Sequence, residues 1–158
     1  MEDFMNQAIV LANSGSAAGD YKLGSVVVDP NGDVVGEAHT SLKTSIDPTA
    51  HAEILAIRRA SEKMDSRLLE GCYLYSTLEP CPMCTSAAIW AKMGGLVFGA
   101  TLEDALTRGG EWKNGIFYSW RQIKIKSAFV AERGDPKIEV FEGFMRDKCV
   151  ELLPGGGS

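Results

Sequence analysis

Residues 72–84 read Cys72-Tyr-Leu-Tyr-Ser-Thr-Leu-Glu-Pro-Cys-Pro-Met-Cys84. The run 72–78 is aromatic and apolar, and predicts a strand. Pro80 and Pro82 then start a helix, Met83 to Lys92, since proline's fixed φ suits a first turn that leaves its missing N–H unneeded. That helix is rich in alanine and stops at Gly94-Gly95. Leu96-Val97-Phe98-Gly99 follows as a short, wholly apolar strand, the pattern of a sheet covered on both faces.

Outward from this unit, a helix is expected from about Thr49 to Met64, entered through Asp47-Pro48. It has Ile54, Leu55, Ile57 and Ala60 inside, and Arg58, Arg59 and Glu62 solvated. Leu23–Val28 and Val34–His39 flank Asp29-Pro30-Asn31-Gly32 and predict a β-hairpin. Phe4, Ala8, Ile9, Leu11 and Ala12 share a helical stripe, with Gly15 as its stop. The stretch 101–120 reads as irregular. Ile138–Phe141 predicts a fifth strand, and Phe144–Leu153 a last helix. This order implies an α/β domain, helices packed on a mixed sheet, over residues 1–153. Residues 154–158 read as a disordered or linker-like tail.

The chain has 158 residues and a mass of 17.1 kDa, with 45% hydrophobic and 23% charged residues. That suits one globular domain and excludes disordered, collagen-like and disulfide-scaffold classes. No apolar run reaches the roughly 18–20 residues of a membrane span, and the acidic start lacks a basic leader segment, so a cytoplasmic protein is expected. With 16 basic and 21 acidic residues the net charge is −5, which supplies no global attraction to a polyanion.

Cys81 and Cys84 form a C-x-x-C pair, read as metal-binding or redox-active, while Cys72 and Cys149 read as packing thiols. The chain holds two histidines, His39 and His51. His51-Ala52-Glu53 and Pro80-Cys81-Pro82-Met83-Cys84 both open helices. Two thiolates and one imidazole fill three of zinc's four tetrahedral positions, leaving the open one of a catalytic site. Glu53, two residues from His51, is placed to move a proton to and from a water at that position. A structural zinc site with His39 as fourth ligand is the competing reading, and it leaves Glu53 without a role.

These two motifs resemble the zinc-dependent cytidine and deoxycytidylate deaminase superfamily, whose H-x-E and P-C-x-x-C signature they match. The resemblance covers nearly the whole chain and implies a three-layer α/β/α fold around a mixed five-stranded sheet. It implies His51, Cys81 and Cys84 as ligands of one Zn²⁺ per subunit, and Glu53 as the catalytic proton shuttle. The implied reaction is hydrolytic deamination of a nucleobase or nucleoside. Hydroxide formed at the zinc adds to the amino-bearing ring carbon, and ammonia leaves.

Residues 44–53, Cys-Pro-Met-Cys with Trp90 beyond it, and Ile116-Phe117-Tyr118 resemble the guanine deaminase branch. Thr40 stands where that branch usually has Asn, Leu23 where it has Phe, Ser86 where it has Gly, and Asn114 near its purine-holding acid. Substrate contacts are therefore expected from Thr40, Ala52, Leu23, Trp90 and Asn114, with Trp112 and Phe117 as further stacking candidates. Leu78-Glu79-Pro80-Cys81, Val97–Ala100 and Glu142-Gly143 also resemble tRNA adenosine deaminases. The net charge ranks a small guanine-like base, nucleoside or related aminated heterocycle first and tRNA second, with cytosine or cytidine further behind. The resemblance further implies a homodimer.

Overall fold

A computed structural model describes residues 1–155. The chain folds in the order α1 (Glu2–Ala17), β1 (Gly24–Val28), β2 (Val34–His39), α2 (Ala52–Met64), β3 (Tyr73–Leu78), α3 (Pro82–Trp90) and β4 (Gly95–Ala100). Then come α4 (Leu102–Arg108), β5 (Gly110–Lys113), β6 (Ile116–Ser119), α5 (Ser127–Ala131), β7 (Glu139–Glu142) and α6 (Arg146–Val150). Of the expected tail 154–158, residues 156–158 lie outside the described residues; Pro154 and Gly155 form a turn.

The main sheet is mixed and five-stranded, in the order β2-β1-β3-β4-β7. β1 runs antiparallel to both β2 and β3, while β3, β4 and β7 are parallel. The carboxyl ends of β2, β3, β4 and β7 therefore share one edge, where open α/β sheets place their ligands. Alternation along the strands feeds two cores. Val27, Leu74 and Leu96 pack with Ala56, Ile57, Ala60 and Ala88 on the α2–α3 face. Val26, Val28, Tyr75 and Val97 pack with Met5, Ala8, Cys149 and Val150 on the α1–α6 face. This is the expected three-layer α/β/α arrangement.

Two glycines let helices lie flat on the hairpin. A Cβ on Gly24 would stand 2.1 Å from Ala8 O of α1, and one on Gly36 would stand 2.2 Å from Ala56 O of α2. Any larger residue would force α1 or α2 away from the sheet.

Several sequence expectations need correction. Gly15 is not a stop; it is buried inside α1, facing the His39 ring. α2 begins at Ala52 rather than Thr49, because Asp47 Oδ1 accepts from Thr49 N and Thr49 Oγ1 at 2.8 Å and holds Pro48 in a turn. The final helix is the shorter α6. Within 101–120, expected to be irregular, α4 starts with a capping box formed by Thr101 and Asp104. Beyond it, β5 and β6 form a hairpin closed by Asn114 and Gly115, both at positive φ.

Candidate metal centre

Two helix N-termini converge on the carboxyl edge of the sheet. His51 is the N-cap of α2 and Cys81 the N-cap of α3, with Pro82 in α3's first turn. Cys84 lies one turn further on and is fully buried. The positive ends of both helices favour thiolates at this point.

His51 Nδ1 lies 3.7 Å from Cys81 Sγ and 3.5 Å from Cys84 Sγ, and the two sulfurs are 3.6 Å apart. A tetrahedral zinc at ordinary bond lengths requires roughly 3.8 Å between sulfurs and roughly 3.6 Å between sulfur and nitrogen. The cluster fits one zinc. His39, the alternative fourth ligand, lies elsewhere: its Nδ1 contacts Thr40 O at 2.9 Å and its ring packs against Gly15.

Hydrogen bonding from Cys84 holds the Cys81 thiol down at about 4, with His51 helping. The same contact and burial push the Cys84 thiol well above its usual range. Both cysteines would bind a divalent cation as thiolates, so that binding releases protons. The bond to Cys81 raises the His51 imidazole above its ordinary value.

Glu53, in the first turn of α2, is 7% exposed. Burial raises its carboxyl above the ordinary range, against the pull of His51. Its Oε1 accepts from Ser76 Oγ at 3.2 Å, and the Glu53 carboxyl is among the groups that push the Cys84 thiol up. Ser25 Oγ in turn donates to Ser76 Oγ at 3.1 Å, the two serines being cross-strand partners on β1 and β3. The sequence reading missed both serines. Their signal is a buried serine on each of two neighbouring strands.

Three of the expected substrate residues gather beside His51. Thr40 is buried, and its Oγ1 accepts from Ala52 N at 3.3 Å, capping α2. Leu23 O accepts from Thr40 N at 3.0 Å. Trp90 and Asn114 do not join them. Trp90, 82% exposed, ends α3 and lines a cleft of ≈ 560 Å³ with Ile125, Phe129 and Arg133, which includes no cluster residue. It lies six positions along the helix from Cys84, about 9 Å along the axis. Asn114 sits exposed at the tip of the β5–β6 hairpin, where the Trp112 and Phe117 rings meet at a tilt of 55° with centroids 5.5 Å apart.

Residues 1–100 match the family described as the cytidine and deoxycytidylate deaminase zinc-binding region. A tRNA-specific adenosine deaminase of Bacillus subtilis is 39% identical over 152 residues, covering 96% of this chain and 85% of the relative. A guanine deaminase of the same organism is 38% identical over 108 residues, covering 68% of this chain and 69% of the relative. The chain spans about a fifth of another relative, the tRNA(Ile)-lysidine synthase of Deinococcus deserti, at 36% identity over 110 residues, or 70% of this chain and 21% of that one. Among solved structures, a guanine deaminase from Nitrosomonas europaea superposes with a TM-score of 0.77 at 26% identity, over 95% of this chain and 80% of the other. A tRNA:A34 deaminase superposes at 0.75 and 29%, over 97% and 100%.

Proposed function

The chain belongs to the cytidine and deoxycytidylate deaminase family, and from that premise we propose that it hydrolyses the exocyclic amine from a guanine-like nucleobase, its nucleoside or a related aminated heterocycle. The observation that carries this reading is the zinc-sized triangle of His51, Cys81 and Cys84, with the buried Glu53 carboxyl two residues from His51 in the first turn of the helix that His51 caps. A zinc ion held by His51, Cys81 and Cys84 would supply the Lewis acidity that makes a water easier to ionise. Glu53 accepts the proton that the water loses and returns it to the ring nitrogen next to the carbon under attack. It then carries the second proton to the departing amine, so that one water is consumed and one ammonia released. A carboxyl raised by burial suits a group that must both take and give a proton near neutral pH. Ser76 and Ser25 hold it in place.

Leu23, Thr40 and Ala52 form the wall beside His51 that we assign to the base. Thr40 keeps one hydroxyl proton to donate after accepting from Ala52 N. A small substrate is favoured over a polynucleotide by the −5 charge and by two cations already engaged. Lys126 pairs with Glu103 at 2.9 Å, and Arg146 with Asp104. The second reading, adenosine deamination in tRNA, is favoured by the alignment with the tRNA-specific enzyme over 96% of this chain. We also place the chain in a homodimer, through the exposed Trp90 and Phe129 face. Its free thiols suit the reducing cytoplasm.

Ammonia release is the test, across guanine, cytosine, adenine, their nucleosides and a tRNA anticodon stem-loop. Release from a free base or nucleoside, little changed between low and moderate salt, supports the small-substrate reading. Release from the stem-loop alone, falling steeply with salt, supports the second reading and overturns the first.

A further inference from the structure

The segment between β3 and α3 delivers Cys81, yet it has little backbone of its own with which to hold still. Pro80 and Pro82 flank that cysteine and carry no N–H. A stretch that donates little has to be gripped by its carbonyls, and one buried charged residue meets two of them. Arg121, 5% exposed, donates from Nη1 to Glu79 O at 2.5 Å and from Nη2 to Pro80 O at 3.2 Å. The same guanidinium is fixed from behind, through Nε to Ile123 O at 3.2 Å and Nη2 to Ile125 O at 3.4 Å.

Glu79, 2% exposed, faces the other way. Its Oε2 accepts from Leu102 N at 2.7 Å, and its Oε1 accepts from Ser127 N at 2.8 Å and Ser127 Oγ at 3.1 Å. Leu102 and Ser127 are the first residues of α4 and α5. One carboxylate thus ties the root of the metal-site loop to two later elements, while one guanidinium clamps the two carbonyls just before Cys81.

We infer that Glu79 and Arg121 are positioning residues for the metal centre, holding the Pro80–Cys81 backbone so that Cys81 Sγ stands at zinc-binding distance from His51 and Cys84. This rests on the reading of those three residues as the zinc site. The planar guanidinium spans several carbonyls at once, which a lysine's single ammonium does not. Outer groups that fix a ligand's position are worth about 10- to 100-fold in metal affinity.

The experiment measures zinc affinity of the full chain by competition with a chromophoric chelator, together with the absorption bands of the cobalt-substituted protein. It compares wild type with Arg121→Gln, Arg121→Lys and Glu79→Gln. Arg146→Gln serves as the control, since that guanidinium bonds the Asp104 carboxylate and touches no metal-site backbone. The expected result is a zinc affinity about 10- to 100-fold lower in Arg121→Gln, with shifted cobalt–thiolate bands and no rescue by lysine. Glu79→Gln is expected to fall in the same direction, and Arg146→Gln to match wild type. Should Arg121→Gln fail to fold, Arg121→Lys and Glu79→Gln are read by the same criterion. Wild-type affinity and bands in the folded brace variants overturn the inference, as does a loss no larger than that of Arg146→Gln. A wild-type chain that binds zinc tightly but deaminates nothing overturns the proposed function and leaves the brace standing.

Discussion

The metal cluster and the β5–β6 hairpin sit at opposite extremes of constraint. At the cluster, Cys84 is fully buried, Glu53 nearly so, and Glu53 Oε1, His51 Nδ1 and both sulfurs meet named partners. At the hairpin, Trp112 is 72% exposed, Ile116 and Tyr118 are exposed too, and Lys113 pairs with its near neighbour Glu111 in solvent. The hairpin follows directly from α4, so a short run of chain passes from a capped and buried root to an exposed aromatic tip. The difference separates a part of the molecule whose geometry is dictated by chemistry from one free to vary. Substitutions should lose force along that path.

The largest effect is expected from Cys84→Ala, which removes a buried ligand: zinc should be absent after dialysis, and turnover with it. Metal content equal to wild type would show that Cys84 is not a ligand. Next comes Glu53→Gln, which keeps size and the contact to Ser76 while removing the base. Its turnover should fall by about 10²- to 10⁴-fold with one zinc retained per chain. A variant that deaminates at the wild-type rate would take the proton shuttle away from Glu53.

At the root of α4, Asp104→Asn should cost about 1–2 kcal/mol in denaturant unfolding, because Asp104 receives Thr101 N at 2.9 Å and Arg146 Nε at 2.8 Å. The effect should depend on pH. Burial raises the Asp104 carboxyl, but Arg146 and Thr101 more than offset it and leave it below the ordinary value. A depressed carboxyl stabilises the fold above its unfolded value of about 3.9 and loses that contribution as pH falls through the folded one. The variant's stability should therefore converge on wild type in acid, and a constant gap at every pH would show that the charge is irrelevant. Least of all, Trp112→Ala should change stability by no more than about 0.5 kcal/mol. A loss as great as that of Asp104→Asn would mean that the hairpin is built into the core, and the gradient would fail.

The same contrast explains what could be read from the residues alone. His51, Glu53, Cys81 and Cys84 lie in two short motifs at helix starts, where spacing along the chain translates directly into spacing in space. β1, β3 and β4 were legible because each is largely apolar and buried. Glu79 and Arg121 were not, being 42 residues apart and bonded through main-chain carbonyls that carry no residue identity. Thr101-x-x-Asp104 and Asn114-Gly115 did announce α4 and the hairpin turn locally, but the glycines and tryptophans around them gave 101–120 an irregular look. α2 begins three residues later than Asp47-Pro48 suggested, since the Asp47 side chain satisfies Thr49 in a turn instead. Trp90 and Asn114 were assigned to the base from resemblance, and the fold within one chain puts both away from the cluster. An aromatic's place along a helix does not say which neighbour it will face.

The proposed deaminating centre depends on one zinc held by His51, Cys81 and Cys84. Its most direct test is to strip the purified chain with a chelator and read ammonia release from the best free base or nucleoside as zinc is added back. Release should be absent in the stripped protein, rise in proportion to zinc and saturate at one equivalent per chain. Release that is complete before zinc is added, or that stays absent at one equivalent on every substrate tried, would contradict it.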